Sequence, residues 1–303
     1  MRYLVMPRPW DGVDLPGPWA AEREAEGWHG LAVGDHWYLD GVGGCLNPFV
    51  VLGDAAARTS TIGLSTAYAN NLARHPVELA QAALSVQFVS GGRFELGIGT
   101  GWAKREILGA GLAFPSPRER IERLRETIHI ARQLFAGACA FHGRHYDVEL
   151  PAAGVSCPSP PALSAALAGP IGMRTIGPLV DIIELSTPGL AFRQGETDMA
   201  AYGATRLDDI KRLIDRARNA NPDAAIGLSL YVAAGRGRSV EHWQTAFGHG
   251  CYKGLAGEPR EVADTIRNFA ALDVDRITVM PPFKGTAAAL APHLLGGSVG
   301  DST

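Results

Sequence analysis

The sequence predicts an α/β protein closed into a single (β/α)8 barrel. Three observations carry this: eight short apolar strand-like runs, helical patterns set between them, and a length of 303 residues. One barrel of about 250 residues or more accommodates such a chain. An open doubly wound sheet is the alternative, because a sequence alone does not show whether a sheet closes. No internal repeat or low-complexity tract divides the chain. It therefore reads as one domain, 1–303, with loop insertions near 151–161 (PAAGVSCPSPP) and 187–205.

The strand-like runs are 3–6 (YLVM), 30–33 (GLAV), 61–66 (TIGLST), 94–98 (FELGI), 162–167 (ALSAAL), 181–186 (DIIELS), 226–232 (IGLSLYV) and 276–280 (RITVM). Each is short and flanked by Gly, Pro or Asp, as expected of parallel strands covered on both faces. The clearest helix opens at Ser116, Pro117 and Glu119, a capping-box start with proline in the first turn. Its stripe is Ile121, Leu124, Ile128, Leu134 and Phe135, and Gly137 is the stop. A helix over 76–89 opens on Pro76 and places Val77, Ala80, Leu84 and Phe88 on one side. A third, 207–218, carries Leu207, Ile210, Leu213, Ile214 and Ala217, and a last one near 259–271 carries Val262, Ile266 and Phe269.

Composition narrows the function classes. Hydrophobic residues make up 46%, and 28 basic against 31 acidic side chains give a net charge of −3. Nothing in that balance points to nucleic acid or a membrane surface. The charge run 117–126 (PRERIERLRE) alternates in sign, which fits a solvated helix face. Cys45, Cys139, Cys157 and Cys251 are scattered without a CxxC, so free thiols in a reducing compartment are expected. The first residues lack a signal-peptide pattern, and no stretch approaches the ~18 uninterrupted apolar residues of a membrane span. A cytoplasmic protein is the expectation.

Two stretches carry candidate chemistry. In 90–107 (SGGRFELGIGTGWAKREI), Gly97, Gly99 and Gly101 follow a strand and precede a polar, helix-like run. The spacing is G-x-G-x-G, so it fails the G-x-G-x-x-G dinucleotide pattern, and it lacks the Lys-Ser/Thr of a P-loop. A tight turn and a close backbone approach to a ligand explain it equally well. In 34–38 (GDHWY), Asp35 and His36 follow the second strand, at the end where barrels build their sites. Histidine trades protons near neutrality. The competing reading is a structural Asp35–His36 pair that ties down the loop.

Other motifs carry less. Cys139, His142 and His145 near 142–147 (HGRHYD) have helical metal-ligand spacing, but Gly137 and Gly143 break any helix, so no metal is expected. His242, His249 and Trp243 read as packing or surface groups. No G-x-S-x-G elbow marks a nucleophile.

The block 57–102 (ARTSTIGLSTAYANNLARHPVELAQAALSVQFVSGGRFELGIGTGW) resembles the most recognisable segment of the luciferase-like flavin- and deazaflavin-dependent oxidoreductases. The likeness extends to 26–37 (EGWHGLAVGDHW), through the helix from Ser116 and FHGRHYDV, and more weakly to 165–183 and 254–282. It implies a flavin, or the deazaflavin coenzyme F420, at the C-terminal ends of the strands. Thr66, Ala67 and Tyr68 would form a bulge against the cofactor ring, often with a non-proline cis peptide. Gly99, Thr100 and Gly101, with Ala168, Gly169 and Pro170, would hold its phosphate, with Asp35 also beside the cofactor. His36 would be the proton donor or acceptor.

Two positions depart from the pattern. Trp102 stands where the glucose-6-phosphate-oxidising branch has glutamate, and Asp181-Ile182 replaces the usual Asp-Gly. Trp10, Trp37, Tyr38 and Trp102, with Tyr68, point to an apolar, aromatic substrate pocket. The resemblance implies hydride transfer between F420 and an apolar small molecule. An FMNH2-dependent monooxygenase and a non-catalytic flavin-binding paralogue are the alternatives. Members of the family are often homodimers.

Overall fold

A computed structural model describes residues 1–7, 15–39, 43–186, 195 and 198–296. Eight parallel strands form the barrel: β1 Arg2–Val5, β2 Gly30–Val33, β3 Gly63–Thr66, β4 Phe94–Gly99, β5 Ala162–Leu167, β6 Ile182–Leu185, β7 Ala225–Tyr231 and β8 Arg276–Met280. Each pairs with its neighbour in chain order, and β8 pairs with β1 through Val279 and Val5. The β4–β5 ladder, Glu95 to Ala162 through Ile98 to Ala165, completes the ring. The sheet is closed, which removes the doubly wound alternative.

The helices are α1 Pro16–Ala25, α2 Pro48–Arg58, α3 Pro76–Val89, α4 Lys104–Gly109, α5 Pro117–Ala136, α6 Pro170–Ile176, α7 Met199–Gly203, α8 Leu207–Ala220, α9 Arg238–Ala246, α10 Pro259–Ala270 and α11 Thr286–Leu294. Helix α5 starts and ends at the predicted residues: Ser116 accepts from the Glu119 N–H at 3.3 Å, Pro117 is its first residue, and Gly137 at φ 132° ends it; the Glu119 carboxylate takes Arg123 and does not complete the expected capping box. Helix α3 corrects the expected stripe. Its core side is Leu79, Ala80, Ala83, Leu84 and Val86, while Phe88 is exposed. Ten of the fourteen residues of 76–89 are apolar and lie on all sides of the helix, so spacing does not select one face. Helix α7 interrupts the loop expected over 187–205, of which 187–194 and 196–197 lie outside the described residues.

The core lies in the layer between strands and helices. Leu31, Leu64, Leu96 and Leu163 of the barrel are buried there, as are Leu52 of α2, Leu79 of α3, Ile128 of α5 and Ile266 of α10. Each buried side chain of this size contributes about 1.5–3 kcal/mol. Arg93 closes the entry to β4, donating to the carbonyls of Ala56, Thr59, Ile62 and Ser90. The Cys139–His142 and Asp147–Leu150 strands form a hairpin whose turn is held by Glu126, which accepts from the N–H groups of Arg144, His145 and Tyr146. Among the described residues, no helix is long and apolar enough to cross a membrane.

Candidate active site

A cavity of about 2290 Å³ opens over the C-terminal ends of the strands. Asp35, His36, Trp37 and Tyr38 after β2, Ala67 and Tyr68 after β3, Gly99 at the end of β4 with Thr100, Gly101 and Trp102 after it, and Ala168, Gly169 and Pro170 after β5 all line it. The residues selected from the sequence therefore converge on one space. Of the described ones, Thr66 does not join them. Thr66 is buried behind the wall, its hydroxyl donating to the Gly97 carbonyl at 2.8 Å and accepting from the Gly97 N–H at 3.0 Å. Trp10 lies outside the described residues.

The segment after β3 explains the glycine pattern. The Ala67–Tyr68 peptide bond is cis, and Ala69–Asn70 then runs parallel to Ile98–Gly99. A Cβ at Gly97 would run into the Thr66 carbonyl and come within 3.1 Å of the Tyr68 ring, and one at Gly99 would meet Tyr68 Cβ at 3.3 Å. Gly101 has φ 77°, and a Cβ there would lie 2.9 Å from Asn70 Oδ1. Each glycine makes room for the chain that bulges beside it.

His36 is anchored from another loop. Its Nδ1 lies 2.8 Å from Glu106 Oε2, and the N–H groups of Trp37 and Tyr38 donate to Glu106 Oε1 at 2.5 and 3.1 Å. Glu106 sits on α4, and its side chain is 4% exposed. Burial alone would raise its pKa. The His36 hydrogen bond and charge and the two backbone N–H groups outweigh that and hold it below the usual carboxylate range. A carboxylate only accepts, so Nδ1 carries a proton and Nε2 is the nitrogen left for a ligand. The Trp102 ring stands edge-on to the imidazole, centroids 5.6 Å apart.

Asp35 does not pair with its neighbour. Its carboxylate takes both Nε and Nη2 of Arg74, at 2.8 and 2.9 Å, and the Asn70 N–H at 2.9 Å. The structural Asp35–His36 pair is thereby corrected: Asp35 ties the β2 loop to the β3 bulge, and the carboxylate of His36 is Glu106.

Glu106 escaped the sequence reading, although it stands four residues after Trp102, in the first turn of α4. Arg120 of α5 was also missed. Its half-buried guanidinium lines the cavity, donates through Nη1 to the Gly101 carbonyl and lies 4.4 Å over the Phe114 ring. Its Nε is buried without a partner, and no carboxylate among the described residues pairs with it. A second aromatic wall comes from β7 and α9. Tyr231 and Trp243 stack at 5.7 Å and 26° and line the cavity, so Trp243 does more than pack.

A family model described as luciferase-like monooxygenase matches residues 18–276. The chain is 30% identical over 167 residues to an F420-dependent glucose-6-phosphate dehydrogenase of Nakamurella multipartita, covering 54% of this chain and 49% of that protein. It is 33% identical over 135 residues to the Kineococcus radiotolerans protein of the same name, covering 43% and 39%. The chain thus spans about half or less of the length of the curated relatives it matches. Among solved structures, an F420-dependent secondary alcohol dehydrogenase superposes with a TM-score of 0.74 at 16% identity, over 97% of this chain and 98% of that one. A monooxygenase from Streptomyces bottropensis gives 0.74 at 17% identity, over 98% and 99%. At these identities the superpositions speak to the barrel fold alone.

Proposed function

The chain belongs to the luciferase-like monooxygenase family, and we propose that within it the protein is a deazaflavin-dependent oxidoreductase acting on an apolar organic substrate. The observation that carries this reading is the His36–Glu106 pair on the wall of the cavity that Tyr68 also lines. Coenzyme F420, when bound, supplies a ring carbon that accepts or donates a hydride.

The residues present fit such a group. Arg120 is a cation whose buried Nε has no partner; it bonds the Gly101 carbonyl and lines the same cavity as Ala168–Pro170. A half-buried, uncompensated guanidinium suits an anionic cofactor group, and Arg120 would join the Gly99–Gly101 and Ala168–Pro170 turns in holding it. Ala67 and Tyr68 would support the ring.

The protein's own part is to orient the reactants and move the proton. In substrate oxidation a hydride leaves the substrate carbon, and His36 Nε2 takes the proton released from the substrate heteroatom. In reduction the same nitrogen returns it. Glu106 keeps the proton on Nδ1 and offsets the charge that the ring gains. Trp37, Tyr38 and Trp102 on one side, and Tyr231 and Trp243 on the other, exclude water and present ring faces to an apolar substrate.

Titration of the protein with coenzyme F420 and with FMN tests the reading. F420 is expected to bind, and tight FMN binding without F420 binding would replace the proposal with the monooxygenase alternative. His36→Ala is expected to keep cofactor affinity and lower turnover by ~10²-fold or more, the range of lost acid–base assistance. Unchanged turnover would reduce His36 to a structural group.

A further inference from the structure

Barrel interiors are usually filled by layers of branched apolar side chains. Here one layer is ionic. Arg276 of β8 reaches across the barrel to Glu95 of β4, Nη1 to Oε2 at 2.5 Å and Nη2 to Oε1 at 2.7 Å, and its Nε bonds Glu184 Oε1 of β6. Ser164 of β5 donates to Glu95 at 2.5 Å. Arg276 is 4% exposed and Glu184 1%.

Such a cluster is a poor device for stability, because desolvating the ions offsets most of their attraction and apolar residues of the same volume would serve as well. Its geometry shows another use. Glu95 already gives Arg276 a two-point contact. Glu184 meets Arg276 through Oε1 alone, and its second oxygen, Oε2, turns to the cavity floor. There it accepts from Tyr68 Oη at 3.2 Å and Ser229 Oγ at 3.5 Å, and Tyr68 and Ser229 both line the cavity. The space for this carboxylate exists because position 227 is glycine; a Cβ there would run into Glu184.

We propose that Glu184 is a positioning residue: held by Arg276, it fixes the Tyr68 hydroxyl and so sets the ring of Tyr68, and with it the Ala67–Tyr68 surface, on which the cofactor ring rests. The inference deepens the cofactor reading above and rests on it for the identity of what is positioned. The anchor itself is a property of the protein alone. Burial and the neighbouring carboxylate both raise the Tyr68 pKa, so the hydroxyl remains a donor.

The test uses Glu184→Gln and Tyr68→Phe, singly and together, in the full chain. Glu184→Gln keeps the side chain's shape and leaves Arg276 neutralised by Glu95, so folding should survive; Tyr68→Phe removes one hydroxyl and nothing else. With Cζ-13C-tyrosine labelling, the resonance absent in Tyr68→Phe is that of Tyr68, and it should shift in Glu184→Gln without any ligand. Each single variant should weaken F420 binding about five- to tenfold, and the double variant no more than either, since both break one contact. An unmoved Tyr68 resonance in Glu184→Gln overturns the anchor. Additive losses of affinity overturn its link to the cofactor. If the wild-type protein binds no F420, the cofactor reading fails, while the resonance still decides whether Glu184 holds Tyr68.

Discussion

Replacing Glu106 by glutamine tests the site most sharply, because it changes one atom and reverses the hydrogen-bond logic around His36. The Trp37 and Tyr38 N–H groups can only donate, so the amide oxygen stays with them. The amide nitrogen then faces His36 Nδ1, which lay 2.8 Å from a carboxylate oxygen. Two donors cannot share that contact, so Nδ1 must give up its proton and Nε2 must carry one. The neutral ring now offers the substrate an N–H where the proposed oxidation needs a lone pair, and the protonated ring loses its carboxylate. A hydrogen bond to a charged group is worth about 1.5–3 kcal/mol, which is about 10- to 150-fold in rate if it acts only when the ring is charged. Stopped-flow measurement of the change in deazaflavin absorbance should therefore show turnover of Glu106→Gln down by about 10²-fold, with F420 affinity close to that of the wild type. Turnover within about threefold of the wild type, at unchanged affinity, would refute the role of Glu106 in setting the His36 proton.

The remaining expectations concern the cradle, the glycines and acid stability. Arg120→Met should leave the thermal midpoint of the ligand-free protein unchanged or raised, since it removes an uncompensated half-buried cation, and should raise the F420 dissociation constant about 10- to 100-fold in a fluorescence titration. Gly97→Ala places a Cβ against the Thr66 carbonyl and should cost about 3 kcal/mol or more in denaturant unfolding. Gly53→Ala, mid-helix in α2 with open space around its Cβ, should add about 0.5–1 kcal/mol in the same assay. Glu24 accepts from the N–H groups of Ser60, Thr61 and Ile62 and from the Thr61 hydroxyl. Burial would raise its pKa, but these bonds outweigh it and bring it down from 4.5 to about 2. A depressed carboxylate contributes stability above its unfolded pKa and loses it as pH falls through the folded one. Between pH 4.5 and 2 the wild-type protein should therefore lose about 1–2 kcal/mol, after allowing for solvent screening, that Glu24→Gln does not lose over the same range.

All eight barrel strands were legible in the sequence to within about two residues at each end, because short apolar runs between breakers are the mark of a covered parallel strand. The site was legible as a place. His36, Tyr68, Gly101 and Gly169 follow four different strands, and their common end made the cavity predictable. What was not legible depended on pairing across the barrel. FELGI, DIIELS and RITVM read as apolar strands, yet Glu95, Glu184 and Arg276 within them meet inside the barrel, and only after the sheet closes. Glu106 and His36 are 70 residues apart, and nothing local distinguishes Glu106 from the surface acids around it. The expected partner, Asp35, was adjacent in sequence, but its carboxylate is taken by Arg74.

The His36–Glu106 contact has a consequence for how this barrel can be rebuilt. The loops of such barrels are commonly treated as interchangeable parts, each replaceable on a fixed scaffold. Here His36, the proposed proton-transfer group, arrives with the loop after β2, while the Glu106 carboxylate bonded to it, and the Trp102 ring that stands edge-on to it, arrive with the loop after β4. Grafting either loop alone from another barrel would import a histidine without its carboxylate, or a buried carboxylate without its histidine. The two loops form one unit of inheritance and of design.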